Sequence, residues 1–584
     1  MRVLLLHPED SPLRGPWSAQ RWDLLVDLGR SSEFSAADWA GRMGCPILRA
    51  DSFRKGVETL KQVREVLSAG EGRLLDEEGI DWWILTALLI APQVEALLTL
   101  REVAAQIGPS PDLWATRGDW PVDGFVFLLG REIRTFSGNT LARLARRVAH
   151  YRGLLRRLSG GQIKEIFLDK YDPGYEWRSR FAPNEQSAAQ PVVLVPSAYG
   201  NVSRMAAAYA RLLPDQDFLL VATRQSGKKC EAPANMRLSD LASYAKTAST
   251  ENENAAILEE WNRLKLELCA IPEFELLTRA GVLDAFPDWF RSGLRVRNAW
   301  REVLARENVC GVLCGDDSNI YTRLPVLLAS RRKIPTADFH HGAMDGRYLL
   351  KDLPSDIYLA KNAMERDYLL RVCELPAEKI IIAAPFPAFA AQLYTRRLSQ
   401  KSSIIFFSEP YENAGMRPEE VYREILPPLC RLARENGRRV VLKLHPFESL
   451  SDREQIVRGL LTEEDFTLVT VLDDPLSERL LSSAWFGLTV ESTTVLDCLM
   501  SSVPCFLVGW LTLSPYEYAQ QYARFGVGGV LDSVNQIAQI PTRLANFSPQ
   551  EMNQRSVWKM ADPEALRQWL AAGPLQQTVE RQVS

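Results

Sequence analysis

The chain has five histidines, and three of them, His340, His341 and His445, follow directly on short apolar runs that read as buried strands. An imidazole at the end of a strand has two uses: to move a proton or to hydrogen-bond an anion. Lys443-Leu444-His445-Pro446 places a cation and an imidazole where Pro446 stops the hydrogen-bond ladder. There His445 would contact a phosphate oxygen or protonate a leaving phosphate. Glu491-Ser492-Thr493-Thr494 precedes an apolar helical run from Val495. Ser and Thr at a helix start are caps, and the same place offers N–H groups, hydroxyls and the positive end of the helix dipole to a phosphate. The two uses are compatible.

A third cluster, Asp338-Phe339-His340-His341-Gly342, lies downstream of a loop carrying Asp316-Asp317. A carboxylate or histidine here, Asp316, Asp317 or His341, would take the proton from an attacking hydroxyl. Gly342 would let the backbone approach a ligand closely, with His340 beside it. One of two adjacent aspartates is often a turn or cap residue. His340 and His341 are chain neighbours, unsuited to holding one metal ion together, so no metal site is expected. Tyr199-Gly200-Asn201 and Ser408-Glu409-Pro410 open loops where acceptor and donor would sit, and Tyr199 and Asn201 are assigned to the acceptor side. Lys170-Tyr171-Asp172 reads as structural. Gly526-Val527-Gly528-Gly529 has the wrong spacing for a dinucleotide fingerprint.

These clusters need sheets to present them. Val3–Leu6, Val192–Val195 and Ile404–Phe407 are each followed by a Pro-containing loop and a helical pattern. Strand, loop and amphipathic helix in that order opens a parallel α/β sheet. Three such openings predict three Rossmann-like modules: 1–185, 186–395 on the acceptor side, and 396–584 on the donor-nucleotide side, with C-terminal helices packing back. The fold class is therefore α/β, a pair of Rossmann-type domains facing a cleft, with an additional N-terminal α/β module. The polar stretch Pro183–Gln190 is the expected linker. The N-terminal module holds eight of the fifteen tryptophans, among them Trp82, Trp83, Trp114, Trp120 and Trp177, a density that reads as core or domain interface.

A length of 584 residues exceeds what one hydrophobic core supports. A formal net charge of −4 gives no support to whole-molecule binding of nucleic acid. Arg143, Arg146, Arg147, Arg152, Arg156 and Arg157 form a local basic stretch, read as a solvated helix face, with peripheral contact to the inner membrane face as the alternative. Nine scattered cysteines without a CxxC pair suggest a reducing, cytoplasmic setting. Met1–Pro8 is too short for a secretory leader. Trp82–Leu100 is expected to be a buried strand plus helix and not a membrane span.

Taken in order, His-Gly at 341–342, Lys-Leu-His-Pro at 443–446 and Glu-Ser-Thr-Thr at 491–494 followed by Leu-Asp-Cys-Leu resemble the GT-B-fold transferases. These include bacterial sialyltransferases, capsule Kdo transferases and the polyol-phosphate transferases of teichoic acid synthesis. The resemblance covers about residues 190–545. It implies that His445, Lys443, Glu491, Ser492, Thr493 and Thr494 hold donor phosphates, and that His341 is a base or phosphate contact. Sialyltransferases carry their base in an acidic pair followed by Gly, whereas here Ser318 follows Asp316-Asp317. The implied activity is a metal-independent, inverting transfer of sugar from a nucleotide-activated donor, without a separate cofactor, to a glycan or lipid-linked acceptor in surface polysaccharide synthesis. Its rivals are a CDP-linked glycerol- or ribitol-phosphate transferase, a nucleotide-sugar 2-epimerase relative, and a non-catalytic scaffold.

Overall fold

The computed structural model describes residues 1–108, 112–118, 122–130, 133–136, 190–223, 230–245, 251–342, 344–383, 385, 402–511, 514–545 and 562–576. The Arg143–Arg157 stretch, Lys170–Asp172, Trp120, Trp177 and nearly all of the 183–190 linker lie outside the described residues.

Three parallel sheets carry the chain. β1 (Arg2–Leu6), β2 (Leu24–Asp27), β3 (Ile47–Arg49), β4 (Asp112–Ala115) and β5 (Arg134–Thr135) pair in the order β3-β2-β1-β4-β5. Val3 to Leu6 are fully buried, as expected of a parallel strand covered on both faces. Helix α1 (Glu33–Met43) starts where the Ser32 hydroxyl accepts the Ser35 N–H and ends on Gly44 at φ 66. Helix α2 (Trp83–Ile107) corrects one expectation: the run that suggested a strand plus a helix is a single helix of 25 residues passing through Pro92. Its Leu- and Ala-rich sequence favours helix strongly enough to absorb one missing N–H. By length and composition α2 could cross a membrane, and 56% of its most apolar stretch is buried within the fold.

The second sheet contains β6 (Val192–Ser197), β7 (Asp217–Ala222), β8 (Met236–Asp240), β9 (Val309–Cys314), β10 (Thr336–Asp338), β11 (Ile357–Ala360) and β12 (Ile380–Ile382). Their order is β12-β11-β10-β9-β6-β7-β8. Helices α3 (Gly200–Leu212), α4 (Phe286–Arg306) and α5 (Ile320–Arg331) belong to it. The core packs Val193, Val195, Tyr209, Phe218, Leu313 and Phe339 together with Leu566 and Trp569 from the C-terminal helix Pro563–Gln576.

The third sheet contains β13 (Ser403–Phe407), β14 (Arg439–Lys443), β15 (Val469–Leu472), β16 (Ala484–Thr489), β17 (Cys505–Val508) and β18 (Gly529–Leu531), ordered β15-β14-β13-β16-β17-β18. Helix α6 (Pro418–Glu435) covers one face, and the short α7 (Thr494–Met500) follows β16.

Packing gathers these elements into two compact units. Unit 1 joins Met1–Thr59, Ala96–Thr140 and Ala388–Ser556, and so contains the first and third sheets. Unit 2 joins Leu60–Glu95, Leu141–Pro387 and Val557–Ser584 around the second sheet. Within unit 2 the 60–95 segment docks on α4. A Cβ at Gly293 would fall 2.4 Å from the Trp82 ring, and the fully buried Arg297 bonds Asp76 at 2.7 Å and Glu253 at 2.9 Å.

Candidate functional site

At the third sheet, β14, β13 and β16 are neighbours, so the residues after each strand leave the same edge side by side. His445 is half-buried there. Its Nδ1 accepts the Phe447 N–H at 3.2 Å, and its own backbone N–H donates to Glu448 Oε2 at 2.8 Å. With Nδ1 accepting, the neutral ring carries its proton on Nε2 and presents a donor. Burial, reinforced by the Lys443 charge, lowers the His445 pKa, which keeps the ring neutral near pH 7. Lys443 is buried, which lowers its own pKa against the pull of Asp473, Glu448 and Asp474, and its Nζ donates to the Leu444 carbonyl at 2.5 Å.

Glu448 holds this edge together. Its Oε1 accepts Ser408 Oγ at 2.8 Å, Tyr422 Oη at 3.3 Å and Arg453 Nε at 2.8 Å. One carboxylate thus ties the loops after β13 and β14 to α6. Glu409 performs a similar task toward β16. Its Oε1 accepts Thr489 Oγ1 at 3.0 Å and the N–H groups of Val490 at 3.1 Å and Glu491 at 2.9 Å. Glu491 Oε2 in turn accepts the Ser514 N–H at 3.1 Å and its hydroxyl at 3.0 Å. Burial pushes Glu409 up to about 7, and burial together with the Glu409 charge pushes Glu491 up to about 8.

The 492–494 segment differs from a simple cap. Thr493 occupies the N-cap position in helical conformation without a side-chain cap bond, while Ser492 Oγ accepts the Thr494 N–H at 3.3 Å. Thr494 Oγ1 is buried without a hydrogen-bond partner among the described residues. The N–H groups of Val490 and Glu491 are occupied by Glu409, so the donors left for an anion are mainly side-chain hydroxyls. Sequence spacing could not show this, because Glu409 reaches them from a different strand.

At the second sheet, β10, β9 and β6 end side by side. His341 Nδ1 lies 3.0 Å from the Gly315 carbonyl. A carbonyl only accepts, so Nδ1 carries the proton and Nε2 keeps its lone pair. This is the tautomer of a base, opposite to that of His445. The His341 ring stacks on Tyr199 at 6.1 Å and 30°, and the His340 ring lies 4.6 Å away. His340 Nδ1 accepts the Gly342 N–H at 3.3 Å. Gly315 has to be glycine, because a Cβ there would meet Val202 at 2.6 Å and Phe339 at 2.8 Å.

The two aspartates separate in role. Asp316 closes its own turn, accepting the Ser318 N–H at 3.0 Å and Asn319 Nδ2 at 3.1 Å. Asn319 then caps α5. Asp317 is buried and ion-paired to Lys351, with its Oδ2 lacking a partner among the described residues. Lys351 Nζ also reaches Asp345 and Ser318, each at 3.3 Å, and lies 4.3 Å above the Tyr348 ring. Burial and the Asp317 charge raise Asp338 well above the carboxylate range, and its Oδ2 accepts Tyr348 Oη at 3.0 Å. Burial alone would raise Asp345 too, but Lys351 and His340 outweigh it and hold Asp345 well below its usual range. Asn201 Oδ1 accepts a bond from Arg204 on the surface of α3.

Tyr199, Asp316, Asp317, His340, His341 and Gly342 therefore share one sheet edge in unit 2. Lys443, His445, Glu491, Ser492, Thr493 and Thr494 share another in unit 1. Sequence reasoning missed Glu448, Asp345, Tyr348 and Lys351. Glu448 had a usable signal, an acid three residues after His445 at a turn. Lys351 had none, standing 34 residues from Asp317.

No protein-family profile and no curated sequence matches the chain. Among solved structures, it is similar to UDP-GlcNAc 2-epimerase from Neisseria meningitidis bound to UDP-GlcNAc, at 13% identity over 65% of this chain and 99% of that one, with a TM-score of 0.41. It is also similar to CalG4, the calicheamicin glycosyltransferase, at 13% identity, covering 68% of this chain and 98% of that one, with a TM-score of 0.38. A third is the spinosyn rhamnosyltransferase SpnG complexed with thymidine diphosphate, at 13% identity, 68% and 100% coverage, and a TM-score of 0.37.

Proposed function

We propose that the chain is a glycosyltransferase that moves a sugar from a nucleotide-activated donor to a hydroxyl acceptor, His445 serving the donor phosphates and His341 the acceptor proton. The opposite fixing of two imidazoles carries this reading. His445 is held as an Nε2–H donor beside Lys443, and His341 is held with Nε2 open to receive a proton. Of the three candidate bases, Asp316 is spent on its turn and Asp317 on Lys351, which leaves His341.

The acceptor oxygen attacks the anomeric carbon as its proton passes to His341 Nε2. The bond from that carbon to the phosphate oxygen breaks, and the electron pair leaves with the nucleotide. His445 Nε2–H hydrogen-bonds the departing phosphate, a fixed donor aimed where charge develops. One displacement at carbon inverts its configuration. A surface polysaccharide as acceptor belongs to the same proposal.

Two variants and a product analysis test it. His445→Ala should weaken binding of the preferred nucleotide, chosen from CMP, CDP, UDP and GDP, by about tenfold or more, as expected for losing a hydrogen bond to a charged group worth about 1.5–3 kcal/mol. His341→Asn, which can still donate to the Gly315 carbonyl, should bind nucleotide as before and turn over about 10²- to 10⁴-fold more slowly. Wild-type turnover in both variants, or a phosphodiester product, refutes the proposal.

A further inference from the structure

We infer that the first sheet is the facing lobe of the third-sheet site, and that Arg30 at its carboxyl edge supplies a cation to the phosphates of the bound nucleotide. The inference rests on the donor assignment above and gives the N-terminal module a task within it.

Ligands of parallel α/β sheets lie outside the carboxyl ends of the strands. Unit 1 contains two such sheets, and the contacts between them run from carboxyl end to carboxyl end. Arg417, ten residues past β13, is buried against the ends of β1 and β2. Its Nε donates to the Asp10 carbonyl at 2.7 Å, and its Nη2 donates to the His7 carbonyl at 3.1 Å and to Asp27 Oδ1 at 2.8 Å. The Arg30 N–H donates to the Gly415 carbonyl at 2.9 Å, and Arg30 and Met416 pair as an isolated parallel bridge. A Cβ at Gly29 would stand 3.1 Å from that same carbonyl, so the backbones approach as closely as glycine allows.

A second set of contacts carries the loop after β2 toward Glu491. Glu424 Oε1 accepts the hydroxyls of Ser32 and Ser35, the latter at 2.6 Å, while its Oε2 accepts Trp510 Nε1 at 3.0 Å. Trp510 follows β17, and Ser514, four residues on, bonds Glu491. Glu491 precedes Ser492–Thr494 directly. The Arg30 charge is felt at Glu491, pulling its carboxyl down against burial. The anionic ligand that fits this place is the phosphate part of a nucleoside mono- or diphosphate.

Full-length Arg30→Gln is compared with wild type by titration calorimetry using CMP, CDP, UDP and GDP, with Arg14→Gln as control. Arg14 lies on the same module, exposed and paired with Glu419. Arg30→Gln should weaken the nucleotide that binds wild type by about tenfold, the order expected for one charge-assisted bond, and Arg14→Gln should bind within about twofold of wild type. Hydrogen exchange on wild type provides a reading that needs no variant: nucleotide should slow exchange in peptides covering 28–35. Unchanged affinity in Arg30→Gln, or no protection there, overturns the role of the first sheet and leaves the donor assignment standing. If none of the four nucleotides binds wild type, the donor assignment itself fails and this inference with it.

Discussion

Replacing Glu491 by Gln should make the protein more stable at alkaline pH while leaving it nearly unchanged at acid pH. Burial and Glu409 raise the folded-state pKa of Glu491 to about 8 from the usual 4.5. Between those values the native chain keeps a proton that the unfolded chain releases. The stability this acid contributes is therefore complete below pH 4.5 and is lost as pH rises through 8. The slope is about 1.4 kcal/mol per pH unit for one proton, giving a loss of about 3–4 kcal/mol between pH 5 and 8. A glutamine amide oxygen can still accept the Ser514 N–H and hydroxyl, so the substitution removes the titration and not the acceptor. Equilibrium guanidinium unfolding of both proteins at pH 5, 6, 7 and 8 reads the difference directly. Glu420, raised to about 8, titrates in both and cancels in the comparison, whereas Glu409 is coupled to Glu491 and its share belongs to the difference. Parallel stability curves over that range would show that Glu491 is ionised in the fold, and the account of this crowded edge would be wrong.

Lys351→Met strands the buried carboxylates of Asp317 and Asp345 and should cost about 3–5 kcal/mol by denaturant unfolding, the range for breaking a buried pair from one side. Adding Asp317→Asn to that variant should restore part of the loss, and a fully additive double mutant would deny the coupling. Glu448→Ala leaves His445 N–H, Ser408, Tyr422 and Arg453 without a shared acceptor. It should destabilise unit 1 by about 3–5 kcal/mol, with weaker nucleotide binding in calorimetry; unchanged affinity in a folded variant would separate Glu448 from the His445 loop.

Most strands were legible because buried parallel strands are continuous apolar runs: Val309–Cys314, Ile380–Ile382 and Cys505–Val508 begin and end where composition changes. The three openings at Val3, Val192 and Ile404 each lead one of the three sheets. Local pattern failed at Pro92, where a breaker lies inside a helix held by burial on its apolar surroundings. It also failed wherever a site residue takes its meaning from a distant partner. Nothing near Asp317 announces Lys351, and nothing near Val490 announces that Glu409 occupies its N–H. The contrary tautomers of His341 and His445 depend on whether a carbonyl or an N–H happens to face Nδ1, which only the folded backbone decides.

The pairing of Asp27 with Arg417 has a consequence for synthesis on the ribosome. Asp27 is fully buried and meets its guanidinium across 390 residues of chain. The N-terminal strands leave the tunnel long before the α6 region exists, so this carboxylate and the edge around it stay solvated while the second sheet emerges and closes. Unit 1 is completed only after the third sheet has emerged, from two distant stretches of chain and against a large loop-closure entropy, and the C-terminal helix of unit 2 follows later still. A chain that stops before residue 402 would carry an N-terminal sheet whose charged edge never finds its counterpart, and such a fragment should be a target for chaperones or proteolysis and not a folded domain.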